Sequence, residues 1–147
     1  MLSLSDFERL IGSAESAVED LREEFHKELT ACLGRLRRDW TSATAAGDDV
    51  AATAPADLQT CFDLTHQIKS MGGTFDFDLV SDIAASLCEL LQELRSRPVS
   101  AKARDSVERH IAALELVEAR KLRGDGGPFG RQLVTGLTET RQACFAG

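Results

Sequence analysis

The sequence predicts an all-α protein, an antiparallel four-helix bundle with extra short helices at the N- and C-termini. Apolar residues recur at steps of three and four in several separate segments, and strand-like alternation of any length is absent. The 147 residues are 43% apolar and 28% charged, which is typical of one soluble globular domain with a single core. We therefore expect residues 1–147 to form one domain, with the core bundle at about 16–122 and a C-terminal extension at about 124–147.

Two segments near the N-terminus fit the capping box that opens helices, residues 5–8 (SDFE) and 16–19 (SAVE). We interpret the first as the start of a short terminal helix and the second as the start of the first bundle helix. The apolar stripe of that bundle helix is Val18, Leu21, Phe25, Leu29, Cys32, Leu36 and Trp40. Residues 47–49 (GDD) are predicted to end it.

The remaining helices follow in order. The second is expected from about Asp57 to Gly72, after Ala54-Pro55-Ala56, and either Asp76 or Asp78 is expected to cap the third. Apolar stripes define the third, fourth and terminal helices in turn: Val80, Ile83, Leu87, Leu90 or Leu91, and Leu94; Val107, Ile111, Leu114 and Val117; Phe129, Leu133, Val134 and Leu137. Pro98 and the segment 124–128 (GDGGP) separate them.

The charge and hydropathy of the chain exclude several classes of partner. A net charge of −7 argues against nucleic acid, and we interpret the one dense basic cluster, Arg35, Arg37 and Arg38, as a solvated helix end. No apolar stretch approaches the roughly 20 residues of a membrane span, and a signal-peptide pattern is absent, so a cytoplasmic location and no membrane partner are expected.

The four cysteines are predicted to be small buried residues. Cys32, Cys61, Cys88 and Cys144 are widely spaced without a C-x-x-C pair. In a reducing compartment this spacing favours neither a disulfide framework nor a zinc site. We expect no metal site.

His66 stands out in the second helix because of its surroundings. On a helical wheel of 100° per residue the core face gathers Cys61, Leu64, Ile68, Met71, Gly72 and Phe75. His66 lies roughly 160° from the centre of that face, so its ring should project to solvent. The flanking positions are Gln59, Phe62, Lys69, Ser70 and Gly73.

These neighbours suit a histidine that accepts a phosphoryl group. Lys69, one turn on, places an ammonium where it can attract negative charge beside the ring. Ser70 and Gly73 are small enough to let another molecule approach, and Phe62 would be an exposed aromatic anchor for docking. Geometry alone leaves open an ordinary surface histidine, the interpretation we give to His26 and His110, which lack such surroundings.

Residues 66–75 (HQIKSMGGTF) resemble the signature H-x-L/I-K-G-x-x-G of histidine-containing phosphotransfer (HPt) domains. The resemblance implies a four-helix bundle of about this size that carries phosphate between the receiver domain of a hybrid histidine kinase and a response-regulator receiver. By the same resemblance His66 is the phosphorylated residue and Lys69 assists the phosphate. The chain departs from the family at Ser70, where Gly is usual, and at Asp76, where a second Gly is frequent.

The resemblance further implies a carrier without autonomous kinase activity and without a cofactor of its own, with Mg²⁺ supplied by the partner receiver domain. The apolar stripes of the helices predict a monomer. Gln59, Phe62, Ser70 and Gly73 are the expected partner-binding residues. Two alternatives stay open: an HPt-like adaptor that has lost phosphotransfer, and a dimeric histidine phosphotransferase.

Overall fold

The computed structural model describes residues 3–44 and 55–145, without the side chains of residues 55–57, and over these ranges it contains helices and no strand. The all-α prediction is confirmed. The predicted break at residues 47–49, and Ala54, lie outside the described residues. The helices, in chain order, are α1 (Leu4–Ala43), α2 (Pro55–Thr74), α3 (Asp78–Leu94), α4 (Ala101–Ala119) and α5 (Gly127–Ala143).

Helices α1 to α4 form the bundle, and α5 lies against α3 and α4. Residues 75–77 alone join α2 to α3, a connection short enough to make them antiparallel neighbours. Two contacts show the relative direction of α1 and α4. His26, earlier in the chain, lies against Glu118 near the end of α4, whereas the Thr44 carbonyl oxygen, after the end of α1, accepts from Arg104 near the start of α4. The first and last bundle helices are therefore also antiparallel, which closes the bundle.

The core consists of the apolar stripes of the four bundle helices. The predicted stripe residues of α3 and α4 are all buried, as are Cys61, Leu64, Ile68 and Gly72 of α2. Cys32, Cys61 and Cys88 are buried, and Cys144 is half-buried. None of the described helices has a stretch that is long and apolar enough to cross a membrane.

Helix α1 differs from its prediction at the N-terminus. The capping box is formed by Ser3 and Asp6, and the helix then continues unbroken for 40 residues. The predicted separate terminal helix and the second start at Ser16 are therefore wrong. Of the predicted stripe, Val18 and Leu21 are exposed, and burial begins at Phe25.

The turn between α2 and α3 is fixed by backbone pairing to the loop before α5. The Gly124 N–H donates to the Asp76 carbonyl oxygen, and the Leu79 N–H donates to the Gly124 carbonyl oxygen, both at 2.7 Å. Asp76 has a φ of 64°, in the left-handed region that Asp tolerates better than most residues. The N-cap of α3 is Phe77, so the expectation that Asp76 or Asp78 caps this helix is wrong.

Two further predictions, one of an exposed residue and one of a buried residue, are wrong. Arg37 is not part of a solvated helix end, because its side chain is half-buried and forms ion pairs with Glu108 and Glu115 of α4. Phe129, expected in the stripe of α5, is exposed, whereas Leu137 of that stripe is buried. Helix α5 itself lies against the bundle as predicted.

His110 is not a surface residue either, since its exposed fraction is 0%. Its Nδ1 lies 2.6 Å from the Ser106 carbonyl oxygen, and a carbonyl only accepts, so Nδ1 carries the proton. Nε2 therefore accepts from the Ser86 hydroxyl at 2.8 Å, and that hydroxyl accepts from Arg141 Nε at 3.2 Å. With both of its nitrogens hydrogen-bonded, the His110 ring links α3, α4 and α5.

Acid should destabilise the protein through this histidine. Burial lowers the pKa of His110 from its ordinary value of 6.5, with the Ser106 hydrogen bond opposing and the Arg141 charge adding to the shift. Below about pH 6.5 His110 binds a proton in the unfolded chain but stays neutral in the folded protein. The free energy of unfolding therefore falls as pH falls. The slope from this residue is at most about 1.4 kcal/mol per pH unit.

Urea unfolding, measured from pH 7.5 down to below the ordinary histidine pKa of 6.5, tests this effect. The variant His110→Gln is expected to be less stable at neutral pH but to lose less stability on acidification. Parallel pH profiles for the two proteins would contradict a role for His110 in the acid response.

Candidate functional site

His66 lies in the middle of α2 with its side chain exposed. The helix is held in this orientation by Leu64, Thr65 and Ile68, which are all buried. Thr65 is tolerated in the core because its hydroxyl donates to the Cys61 carbonyl oxygen at 2.7 Å. The exposure of His66 agrees with the wheel geometry of the sequence.

Lys69 lies one turn after His66 and is also exposed. In the part of the chain that the structure describes, its ammonium forms no ion pair. It lies near Cys88 of α3: burial is the largest influence on this thiol and raises its pKa, and the Lys69 charge acts in the opposite direction. The ammonium is therefore available on the same side of the helix as the His66 ring.

Three small residues follow His66, and they differ in what surrounds them. Ser70 and Gly73 are exposed, and the Ser70 hydroxyl donates to the His66 carbonyl oxygen at 3.1 Å. Gly72 is buried against α3, where an added Cβ would lie 2.9 Å from the Ser81 backbone nitrogen. The surface beside His66 is open at Ser70 and Gly73, whereas Gly72 lets two helices approach.

Phe62 is less exposed than predicted, because it is half-buried and packs against the core. The centroid of its ring lies 6.2 Å from that of His66. The Arg95 guanidinium lies 5.1 Å above the same ring, at the C-terminal end of α3. This cation–π contact places a second positive charge on the His66 side of the bundle.

Gln59 lies nearly two turns before His66. It is half-buried, and its amide donates to the Asp63 carboxylate at 2.7 Å. Asp63 is one turn before His66, so this hydrogen bond holds a carboxylate on the side of the site away from Lys69.

Of the site residues predicted from sequence, His66, Lys69, Ser70 and Gly73 share one exposed face of α2, while Phe62 and Gln59 lie half-buried at its N-terminal side.

Sequence reasoning missed the contribution of α3. Ser81, Cys88 and Arg95 recur at helical spacing and face α2, and the Ser81 hydroxyl donates to the Lys69 carbonyl oxygen at 2.7 Å. Their register against α2 was the missing information.

No three His, Cys, Asp or Glu side chains converge in a way that could hold a metal ion, among the described side chains of residues 3–44 and 58–145. The cations near His66 are instead side chains, Lys69 and Arg95. What this face offers is an exposed imidazole with positive charge beside it and room for a protein surface to approach.

The model of the Hpt domain family matches residues 20–119, more than two thirds of the chain, and the chain therefore belongs to this family. The matched segment runs from α1 through α4 and includes His66. Proteins of this family take part in phosphorelay histidine phosphotransfer. No curated protein and no solved structure matches the chain.

Proposed function

We propose that this protein is a phosphorelay carrier that accepts a phosphoryl group on His66 from a receiver-domain aspartate and passes it to, or takes it back from, a response-regulator receiver. One observation carries this proposal: in a chain of the Hpt family, His66 is exposed in the middle of α2 and Lys69 is exposed one turn away. The donor would be the receiver domain of a hybrid histidine kinase.

In the proposed step an unprotonated ring nitrogen of His66 attacks the phosphorus of the aspartyl phosphate. The N–P bond forms as the P–O bond to the aspartate breaks, and both electrons of that bond stay on the departing carboxylate. The ring then carries a phosphoryl group. Attack by the aspartate of a second receiver reverses the same bond changes.

The residues around His66 divide the work. Lys69 offsets negative charge on the transferring phosphoryl group, and Arg95 adds a more distant positive charge. Ser70 and Gly73 leave the approach clear, and Phe62 and Gln59 would line the receiver contact. We assign the Mg²⁺ of the reaction to the receiver domain and no cofactor to this chain.

This proposal describes a carrier rather than an autonomous kinase, since the donor supplies the activated phosphate. An adaptor that has lost phosphotransfer is the alternative that would share the same fold. The presence of both His66 and Lys69 on the open face favours the carrier over the adaptor.

Incubation with phosphorylated receiver domains from the source organism tests the proposal. Each purified receiver is labelled on its aspartate, mixed with the full chain, and the label is followed over time. We expect label on this protein in an acid-labile, alkali-stable form, as phosphohistidine chemistry requires. His66→Gln should fold and stay unlabelled. Equal labelling of parent and His66→Gln, or no labelling by any receiver, would contradict the proposal.

Lys69→Ala should slow transfer by about tenfold, because one electrostatic stabiliser is lost at a site open to water. The fold should be unaffected, since the side chain is exposed. Transfer rate and phosphohistidine lifetime measure the effect, and Lys69→Arg, which keeps the charge, is the matched control. Equal rates in Lys69→Ala and the parent would remove this residue from the mechanism.

A further inference from the structure

The N-terminal half of α1 lies beyond the rest of the bundle. Helix α1 has 40 residues and α2 has 20, which correspond to about 60 Å and about 30 Å at 1.5 Å per residue. Every residue from 7 to 21 is exposed. We refer to residues 4–21 as the arm, and its ion pair between Glu19 and Arg123, at 3.5 Å, is at the end nearest the bundle.

The arm exposes far more apolar surface than a solvated helix needs. Its large apolar side chains are between 42% and 74% exposed: Leu4, Phe7, Leu10, Ile11, Val18 and Leu21. A contiguous apolar surface of this kind marks an interaction site. Most of the stability of an amphipathic helix in a protein comes from packing of its apolar face, so a partner would stabilise the arm.

The apolar residues of the arm repeat every seven positions. Steps of three and four alternate without interruption along this stripe: Leu4, Phe7, Ile11, Ala14, Val18, Leu21 and Phe25. Such a repeat is the signature of a helix that pairs with another helix along its length. Within α1 the repeat coincides with the arm and ends at Phe25, where the helix joins the bundle core.

In place of the monomer expected from the sequence, we propose that the arm pairs antiparallel with the arm of a second copy of this chain. The direction follows from Phe25, which continues the stripe and stacks on Phe75 and Phe77 at ring distances of 4.9 and 4.8 Å. A parallel partner helix would continue into the space of those two rings. An antiparallel partner helix ends there instead.

The stripe is complementary to itself in this arrangement, as an interface between two identical copies requires. With Leu4 opposite Leu21 of the second copy, Phe7 faces Val18 and Ile11 faces Ala14. The layers therefore pair a leucine with a leucine at each end and a large side chain with a smaller one between them. The central pair, Ile11 with Ala14, brings the helices closest.

The residues flanking the stripe favour the same direction. In the antiparallel pair Leu10 lies beside Ala17 of the second copy and becomes covered, whereas a parallel pair would set it beside Glu15. Glu8 then lies beside Glu15 on the opposite flank, a like-charge contact at an exposed rim that salt screens. Dimerisation should therefore strengthen as the salt concentration rises.

The area is sufficient for a specific contact. Six partly exposed apolar side chains of roughly 100 Å² each would bury about 1,200 Å² over two copies, above the roughly 1,000 Å² that a specific interface needs. Five carboxylates and one arginine give the arm a net charge of −4 (1 − 5). This charge disfavours an anionic membrane as the occupant.

Light scattering of the full chain tests the pairing, with Ile11→Glu in the stripe and Ser13→Glu on the opposite face as its matched control. From about 5 to 200 μM the parent and Ser13→Glu should show twice the 16.0 kDa of one chain, and Ile11→Glu one chain, a loss of affinity of at least about 100-fold. A parent that remains at one-chain mass at the highest concentration would overturn the proposal. Equal masses for the two variants would do the same.

Cysteine cross-linking tests the direction. A mixture of Leu4→Cys and Leu21→Cys should form a disulfide between the two variants, and neither should cross-link alone. Cross-linking of Leu4→Cys to itself would overturn the antiparallel arrangement. Binding of the parent, but not of Ile11→Glu, to phosphatidylcholine–phosphatidylglycerol vesicles would instead assign the arm to a membrane. None of these measurements requires phosphotransfer, so they stand or fall independently of the proposed function.

Discussion

Ser70→Leu is expected to slow phosphotransfer to His66 by about 100-fold while leaving the melting temperature unchanged. The residue lies 40° from His66 around α2 and one turn along it, so a branched side chain there would occupy the space through which a receiver must approach. A centrally placed contact residue of this kind is worth about 2–3 kcal/mol of docking free energy, which is equivalent to roughly a 100-fold change. Ser70 is exposed, so its enlargement does not disturb the core.

Gln67→Leu is the matched control. Gln67 is exposed on the same helix but lies 100° from His66, so the same added side chain falls outside the approach path. Transfer from a cognate receiver, measured for both variants at several receiver concentrations, separates docking from chemistry: bulk at Ser70 should raise the concentration needed for half-maximal rate. Normal transfer by Ser70→Leu would show that the open surface has no part in docking. Unfolding of Ser70→Leu would show that this residue belongs to the packing of α2.

Local patterns in the sequence were sufficient for most helices and for the orientation of His66. The stripes of α3 and α4 and most of the core face of α2 are determined by burial periodicity, which a sequence shows directly. The prediction for the start of α1 was wrong because it rested on a local capping motif. Ser16 fits a capping box, but residues on both of its sides continue one helical stripe, so the helix runs through it.

Features that depend on contacts between helices were not accessible from the sequence. His110 looks like an ordinary surface histidine until Ser86, 24 residues earlier in the chain, supplies the hydrogen bond that allows its burial. Arg95 gains its place beside Phe62 only through the register of α3 against α2. Both belong to pairs of groups whose separation along the chain says nothing about their distance in space.

The close approach of α3 to α2 depends on Gly72, and Gly72→Ala should therefore destabilise the protein. An added Cβ would lie 2.9 Å from the Ser81 backbone nitrogen and 3.0 Å from the Phe77 carbonyl oxygen. Both are backbone atoms, so the clash is relieved only by moving the helices apart. The cost of such overpacking is about 1–3 kcal/mol, against a gain of about 1 kcal/mol from replacing a helical Gly with Ala.

Gly73→Ala, one residue along, provides the matched comparison for this prediction. Its Cβ would meet nothing closer than the Ser81 hydroxyl at 3.8 Å, an ordinary contact, so the gain in helix propensity should remain and stabilise the protein by about 0.5–1 kcal/mol. Urea and thermal unfolding of both variants measure the difference: Gly72→Ala should lower the melting temperature by about 2–8 °C and Gly73→Ala should raise it. A shift of the same sign in both variants would mean that Gly72 does not set the spacing of α2 and α3. With the opposite signs expected, Gly72 sets the spacing of α2 and α3, and Gly73 leaves the His66 face open.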